Sequence, residues 1–170
     1  TCLIHNDWRF DNVILDAADP TKVIGVLDWE MATLGDPLMD LGSALAYWVE
    51  EDDNIIMQQS RRQPTHLEGM MTRDEVVDYY LKQSGLKIDN WTFYEVFGLF
   101  RLAGIVQQIY YRYYNKQTTN PVFKNFWLIV HVLHAKCLKL IAQYEGEALF
   151  NTYVQPQLKE IGIDAATIEQ

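Results

Sequence analysis

Three groups of polar residues near the start of the chain have side chains suited to phosphoryl transfer. The first runs from His5 through Asp7 to Asn12, the second is Asp28, and the third is the segment 35–37, Gly-Asp-Pro. Phosphoryl transfer needs an acidic residue that orients the acceptor hydroxyl and takes its proton. It also needs oxygen ligands that hold Mg²⁺ against the phosphates. Asp7 suits the first role, and Asn12 and Asp28 suit the second.

The spacing of these residues predicts that they meet. Asp7 and Asn12 share one tight loop, and the apolar segments 13–15 and 23–27 are separated by turn-forming residues, which predicts a β-hairpin. The hairpin carries the chain out and back, so Asp28 returns beside the loop. Hard oxygen donors without soft ligands favour Mg²⁺ over zinc.

The remaining chain is predicted to be mostly helical, with one short strand at Leu3-Ile4 before the hairpin. Asp36 is an N-cap ahead of Pro37, and Thr72 forms a capping box with Glu75. We predict helices from Pro37 to about Trp48, from Thr72 to Gly85, from Asn90 to Tyr114, from Asn120 to about Tyr144 and from Glu147 to Ile161. A long irregular loop is expected from Glu50 to Met71. A small β segment followed by helices is an α+β order.

Composition limits the classes of partner. The 170 residues fit one domain, and the net charge of −9 argues against binding to nucleic acid or to an anionic membrane surface. No apolar stretch is expected to reach the roughly 20 residues needed to span a bilayer. Cys2 and Cys137 form no CxxC pair, which favours reduced thiols and a cytoplasmic location.

The polar groups also carry a resemblance to known families. Protein kinases have His-Arg-Asp followed by four residues and Asn; here Asn6 replaces the arginine, and Asp-Trp-Glu at 28–30 stands where Asp-Phe-Gly would be. These departures point to the aminoglycoside phosphotransferase and choline kinase-like superfamily, whose usual loop is His-Gly-Asp-x-x-x-x-Asn. Segments 5–13, 26–30, 33–37 and 100–105 look most like the phosphotransferase module found fused to acyl-CoA dehydrogenases.

This resemblance implies a function and a cofactor set. The expected reaction is ATP-dependent phosphorylation of a small-molecule alcohol, with Asp7 as catalytic base and Mg²⁺ held by Asn12 and Asp28. Glu30 is a further candidate ligand for a second metal ion. Aminoglycosides, choline, sugars and hydroxyacyl compounds all fit the family, and the likeness to the acyl-CoA dehydrogenase-linked module favours a hydroxyacyl compound or another small metabolite.

The resemblance also implies supporting roles around the catalytic loop. His5 is expected to pack the loop against the Asp28 segment, and Asp40 to hold the loop through backbone hydrogen bonds, with Asp36 as a further structural residue. Asn6 departs from the usual glycine, but asparagine tolerates positive φ better than most residues, so the turn is expected to survive.

The implied architecture is an α+β, protein kinase-like C-terminal lobe. Residues 1–42 would form the catalytic and metal-binding core, and residues 43–170 the helical substrate-binding part. The chain shows neither a glycine-rich phosphate loop nor the lysine–glutamate pair of a nucleotide-binding lobe. That lobe is therefore expected upstream or in a partner chain. The alternative is a non-catalytic interaction module, or an inactive fragment, that retains the fold.

Three other features allow more than one interpretation. The acidic run 50–53 could attract a cationic acceptor, but we interpret it as a solvated loop. His131 and His134 could bind a metal ion, but we interpret them as partly buried, hydrogen-bonded side chains. Arg101 lies in an apolar helix and needs a partner. That partner is either a structural ion pair or a phosphate or carboxylate of a substrate, and the sequence does not separate the two.

Overall fold

The computed structural model describes residues 1–145 and 155–160. In this part of the chain, two small antiparallel sheets lead into a set of packed helices. Strand β1, Cys2–Ile4, pairs with β4, Thr33–Gly35, and β2, Val13–Leu15, pairs with β3, Val23–Val26. The predicted hairpin is confirmed. Strand β4 was not predicted, because three residues of weak pattern become a strand only by pairing with β1.

The helical part agrees with the sequence in most of its boundaries. The helices are α1, Pro37–Leu45; α2, Ile55–Ser60; α3, Arg73–Ser84; α4, Thr92–Tyr114; α5, Phe126–Glu145; and α6, Gln155–Glu160, with single 3₁₀ turns at Phe10–Asn12, Trp29–Met31 and Pro121–Asn125. Helix α1 ends three residues before the predicted Trp48. Helix α2 lies inside the stretch predicted to be irregular. The predicted start of the last helix at Glu147 lies outside the described residues.

The predicted caps are present with their expected hydrogen bonds. The Asp36 side chain accepts a hydrogen bond from the Leu38 N–H at the start of α1. Thr72 and Glu75 form both bonds of a capping box at the start of α3. Gly85 ends α3 with φ of 71°, a left-handed conformation that glycine adopts without a steric penalty. These local signals explain why α1 and α3 begin within one residue of their predicted starts. Helices α4 and α5 begin two and six residues after the predicted Asn90 and Asn120, and Asn120 instead caps the 3₁₀ turn Pro121–Asn125.

The core lies where α4 packs against α1 and α5. Val132 and Leu133 of α5 are completely buried, among apolar residues of α2, α4 and the segment that follows α1. The segment Pro121–Tyr144, with a mean hydropathy of 1.3, is nevertheless long and apolar enough to cross a membrane by length and composition alone. The expectation that no stretch reaches this length is therefore wrong. In this structure the segment supplies core residues.

Two glycines allow α1 and α4 to cross in direct backbone contact. A Cβ atom built on Gly98 would lie 2.0 Å from the carbonyl oxygen of Gly42, and one built on Gly42 would lie 2.2 Å from the carbonyl oxygen of Tyr94. No side chain fits at either position. Because α1 carries Asp40 and leads to Tyr47, this crossing fixes α4 beside the N-terminal loop.

Gly98→Ala should destabilise the protein by about 1–3 kcal/mol, because the methyl group forces the two helices apart. Gly104→Ala is the matched control on the same helix. A Cβ there meets nothing within 4 Å, so the better helix propensity of alanine should stabilise the protein by up to about 1 kcal/mol. Urea unfolding of both variants measures the difference. Equal changes in the free energy of unfolding for Gly98→Ala and Gly104→Ala would contradict the close contact between α1 and α4.

A buried ion-pair network fixes the loop after α1. The Asp53 side chain is 5% exposed and lies 2.6 Å from Nη1 of Arg73 and 2.8 Å from Nζ of Lys136. Arg73 also pairs with Glu50 and donates to the carbonyl oxygen of Trp48. The interpretation of run 50–53 as a solvated loop is therefore wrong for its first and last residues, because each finds a cationic partner distant in sequence.

The network makes stability depend on pH. Burial raises the pKa of Asp53, but the Arg73 hydrogen bond together with the charge and hydrogen bond of Lys136 outweighs it and lowers the pKa to about 2. A depressed folded-state pKa stabilises the protein at pH values above the unfolded pKa, and this contribution is lost as pH falls toward 2.

Asp53→Asn should therefore lower the free energy of unfolding by about 2 kcal/mol at neutral pH, because two partly buried cations lose their anion. The difference from the unmodified protein should shrink as pH falls toward 2. Chemical unfolding across this range measures both effects. Asp52→Asn, which removes an exposed neighbouring charge, should change little at any pH. A loss for Asp53→Asn that is constant with pH would contradict the assignment.

Candidate functional site

The Asp40 carboxylate holds the loop that contains Asp7 by its backbone. Its Oδ2 accepts a hydrogen bond from the His5 N–H and its Oδ1 one from the Asn6 N–H, both at 2.7 Å. Asn6 has φ of 66°, so the expectation that asparagine supports the positive-φ turn is confirmed. The Asn6 side chain also donates to the carbonyl oxygen of Met31 at 2.9 Å, which ties the loop to the 3₁₀ turn that begins at residue 29.

His5 connects the Asp7 loop to the Asp28 segment. Its buried ring places Nε2 2.7 Å from the carbonyl oxygen of Leu27 and Nδ1 3.2 Å from the backbone nitrogen of Asp7. Because a carbonyl oxygen can only accept, Nε2 carries the proton, and Nδ1 then accepts from the Asp7 N–H. The ring also packs on Trp29 with 4.7 Å between centroids. One neutral imidazole thus bonds to both segments.

Asn12 lies directly between Asp7 and the end of the hairpin. Its buried side-chain amide donates to the Asp7 carbonyl oxygen at 2.8 Å and lies 3.3 Å from Asp7 Oδ2. Its backbone carbonyl accepts from the Leu27 N–H at 2.8 Å. Leu27, which is bonded to Asn12, immediately precedes Asp28. The structure therefore brings Asp7, Asn12 and Asp28 close together, as the sequence predicts.

Asp28 and Glu30 offer carboxylates without a protein partner among the described residues. Asp28 has φ of 65° and precedes the 3₁₀ turn, but its side chain makes no capping hydrogen bond. Within residues 1–145 and 155–160, no group of three or more His, Cys, Asp or Glu residues is close enough to hold a metal ion alone. The donor set instead fits Mg²⁺, which is commonly bound by one or two carboxylates together with substrate phosphates and water.

Asp36 supports the site through α1. Its Oδ1 accepts from the Leu38 N–H at 2.9 Å, and its Oδ2 accepts from the Tyr94 hydroxyl at 3.1 Å. The first bond starts the helix that carries Asp40. The second joins that helix start to α4.

Arg9 is a site residue that the sequence reasoning missed. Its Nη2 lies 3.2 Å from Asp7 Oδ2, and its guanidinium carbon lies 5.4 Å from the centroid of the Tyr47 ring. Burial raises the pKa of the Tyr47 hydroxyl and the Asp7 charge adds to this rise, while the charges of Arg9 and Arg101 oppose it. The available signal was a cation two positions after Asp7 in the same loop.

Gln63 is a second residue that was missed, and it lies in the stretch predicted to be an irregular surface loop. It is 5% exposed, accepts from the Phe10 N–H at 3.0 Å and donates to the carbonyl oxygen of Tyr47 at 3.5 Å. The Phe10 ring also packs on Trp48. Nothing in a polar stretch of sequence marks one glutamine as the anchor of a loop 53 residues away.

The structure also informs the features that the sequence left open. Arg101 is partly buried and forms no ion pair with the residues described. His131 packs edge-on against Trp127, and burial, followed by the charge of His134, lowers its pKa. His134 is exposed, so the interpretation of two partly buried histidines is wrong for that residue.

Comparison with known proteins agrees with this geometry. Residues 1–94 match the model of the phosphotransferase enzyme family, APH. The chain belongs to this family. A crystal structure from Ralstonia eutropha classed as an aminoglycoside phosphotransferase matches with a TM-score of 0.59 and 26% identity, over 75% of this chain and 40% of that one. The mixed fold of helices and small sheets therefore resembles an aminoglycoside phosphotransferase.

Sequence relatives confirm the predicted resemblance to modules found with acyl-CoA dehydrogenases. Mouse acyl-CoA dehydrogenase family member 10 is 40% identical to this chain over 66% of the chain's length. Human family member 11 is 35% identical over 65% of the chain's length. A chicken family member 11 matches at 31% over 81%. The chain spans 10%, 14% and 18% of these three proteins, respectively.

Asp40→Asn should destabilise the protein by about 1–3 kcal/mol and loosen the loop, because an amide NH₂ replaces one acceptor and faces a backbone N–H. Asp36→Asn is the matched control on the same helix start. Asparagine is an equally good N-cap, so its effect should stay within about 0.5 kcal/mol. Thermal unfolding, with hydrogen exchange of the His5 and Asn6 amides, measures both. Unchanged exchange in Asp40→Asn would contradict the role.

Proposed function

We propose that this chain is the catalytic C-terminal lobe of an ATP-dependent phosphotransferase that phosphorylates a hydroxyl group of a small molecule. Residues 1–42 would supply the catalytic core, and residues 43–170 the acceptor side. The observation that carries the proposal is the pair of contacts at Leu27. Its carbonyl oxygen bonds to His5 and its N–H to Asn12, so the Asp7 loop and Asp28 form one site. Membership of the phosphotransferase family supports the reaction class.

Asp7 is suited to act as the base. Its Oδ2 accepts from Arg9 and lies near the Asn12 amide, while Oδ1 makes no hydrogen bond with the described residues. The side chain is 21% exposed, so an acceptor hydroxyl can reach Oδ1. In the proposed step this oxygen takes the hydroxyl proton as the alcohol oxygen bonds to the γ-phosphorus of ATP, and the bond to the leaving ADP breaks.

Asn12, Asp28 and Glu30 would hold the metal. Because the Asn12 amide nitrogen is bonded to Asp7, its Oδ1 is the atom left for a cation. Bound Mg²⁺ would neutralise charge on the phosphate oxygens during transfer. The protein's own contribution would be to hold these residues together at one end of the hairpin, where the Leu27 N–H bonds to the Asn12 carbonyl oxygen.

The exposed faces of the sheets support a second, nucleotide-binding lobe, either upstream or in a partner chain. Leu3 and Leu34 lie opposite each other in the β1–β4 pair and are 62% and 74% exposed. Val23 and Ile24 of the hairpin are also more than half exposed. Several exposed large apolar side chains in two neighbouring segments are consistent with an interaction site. Among the described residues, no contact favours the alternative of a non-catalytic module.

In a protein that includes the nucleotide-binding lobe, adding Mg²⁺-ATP should raise the thermal unfolding midpoint, because a ligand that binds only the folded state stabilises it. Asp28→Asn should abolish this rise, since the metal loses its carboxylate. Asp7→Asn should retain the rise but lower phosphoryl transfer by at least about a hundredfold in a protein that includes the nucleotide-binding lobe.

Asp78→Asn removes an exposed carboxylate of α3 and serves as the control for lost charge. It should retain both the midpoint rise and transfer. Transfer that survives in Asp7→Asn would remove Asp7 as the base. A rise that survives in Asp28→Asn would remove Asp28 as a metal ligand.

A further inference from the structure

The face of α4 that points away from the core carries a stripe of mostly aromatic, uncharged residues. Its four most exposed aromatic side chains have between 60% and 72% of their surface open to solvent: Phe93, Phe100, Tyr111 and Tyr114. We call residues 93, 97, 100, 104, 107, 111 and 114 the outer stripe. A surface helix normally presents charged or polar residues on this side, so an aromatic stripe here indicates an interaction surface.

The spacing of the outer stripe shows what kind of element fits it. Successive positions lie alternately four and three residues apart over three heptads, which is the spacing by which one helix packs along another in a coiled coil. At 1.5 Å per residue the stripe is about 30 Å long. The buried residues of α4 lie on the opposite side of the helix: Gly98, Leu99, Leu102 and Val106. The outer stripe is therefore a seam for a second helix, separate from the core.

The outer stripe is nearly symmetric about Gly104. Phe97 and Tyr111 each lie seven residues from it, and Phe93 and Tyr114 lie eleven and ten residues from it. An antiparallel second copy of α4 with a two-fold axis at Gly104 would place each Phe97 opposite the other copy's Tyr111. Such a surface is its own complement, as a two-fold interface requires. Antiparallel helices also bring opposite ends of their dipoles together.

The centre of the stripe leaves room for the second helix. A Cβ atom built on Gly104 meets nothing within 4 Å, so another backbone can approach at that point. Aromatic side chains bury about 150–250 Å² each, and with about two thirds of that still exposed, the four exposed rings offer about 500 Å² per copy. Two copies would bury about 1,000 Å², which is the lower limit for a specific interface.

The composition of the stripe also favours a second copy. The chain carries a net charge of −9, yet none of the seven stripe positions is charged. Interface centres are depleted of charged residues and enriched in aromatic ones. Two identical acidic chains can therefore meet here without placing like charges in contact.

We propose that the outer stripe joins two copies of this chain through an antiparallel pair of α4 helices, with the two-fold axis at Gly104. The partner is a second copy because the stripe supplies its own complement. This inference goes beyond the proposed function and does not rest on it, since no stripe residue belongs to the Asp7 site.

Sedimentation velocity of the full chain across the micromolar range tests the proposal. The sedimentation coefficient should rise with concentration to that of a dimer, since an interface of this size supports micromolar affinity. Phe100→Glu should raise the dissociation constant about tenfold or more, because it removes an aromatic anchor and puts a carboxylate of each copy into the interface. Tyr111→Glu repeats the test at a second stripe position. Tyr79→Glu removes a 55% exposed aromatic side chain from α3 and should leave dimerisation unchanged.

Disulfide cross-linking tests the register of the pair. A Cys2→Ser background removes the exposed native cysteine. Gly104→Cys should cross-link to itself, because the two copies of this position meet at the axis and a disulfide needs close Cα atoms. Tyr111→Cys should cross-link to Phe97→Cys when the two proteins are mixed, and not to itself. Arg112→Cys, at an exposed position outside the stripe, should not cross-link.

Each outcome supports or overturns the inference. A dimer that both stripe variants weaken, with the expected cross-links, would support it. A monomer at every concentration, or a dimer that neither variant weakens, would overturn it, and self-linking of Tyr111→Cys would do the same by showing a parallel pair. A chain that dimerises alone but is monomeric when the nucleotide-binding lobe is present would assign the stripe to that lobe. That result would overturn the inference and leave the phosphotransferase proposal standing.

Discussion

The two hydrogen bonds from the Asp40 carboxylate to the backbone of His5 and Asn6 are the constraint on which the site depends. They attach a loop with no regular structure of its own to α1, which is the most deeply packed of the short helices. The glycine crossing then attaches α1 to α4, and α4 is packed along α5. The position of the Asp7 side chain is thus set by helices that follow it in the chain.

The polar side chains differ in whether other residues of the protein supply their hydrogen-bond and ion-pair partners. Asp53 has two cationic partners and is nearly buried, so it serves stability. Asp28 and Glu30 stay without protein partners in the described residues, and Arg9 keeps a donor with no acceptor. Because buried polar groups are usually paired, groups left unsatisfied beside Asp7 indicate where a ligand would bind. Whether a polar side chain has a partner in the protein therefore distinguishes structural residues from candidate ligand-binding residues better than the residue type does.

Family membership and acceptor identity rest on different kinds of observation. The phosphotransferase model and the aminoglycoside phosphotransferase structure agree on the fold and the reaction class. One fold serves many substrates, so the acceptor must be argued from the site itself. The small share of each relative that the chain covers leaves the partners of the whole protein as proposals.

Local signals in the sequence determined the hairpin, the starts of α1 and α3 and the proximity of Asp7, Asn12 and Asp28, because turn formers, caps and spacing act within a few residues. The tertiary structure alone decided which distant groups joined them. Gln63 bonds to the Asp7 loop across 53 residues, and Asp53 bonds to Lys136 across 83. Strand β4 exists only through its pairing with β1. Contacts between segments far apart in the chain depend on packing, and no local pattern records them.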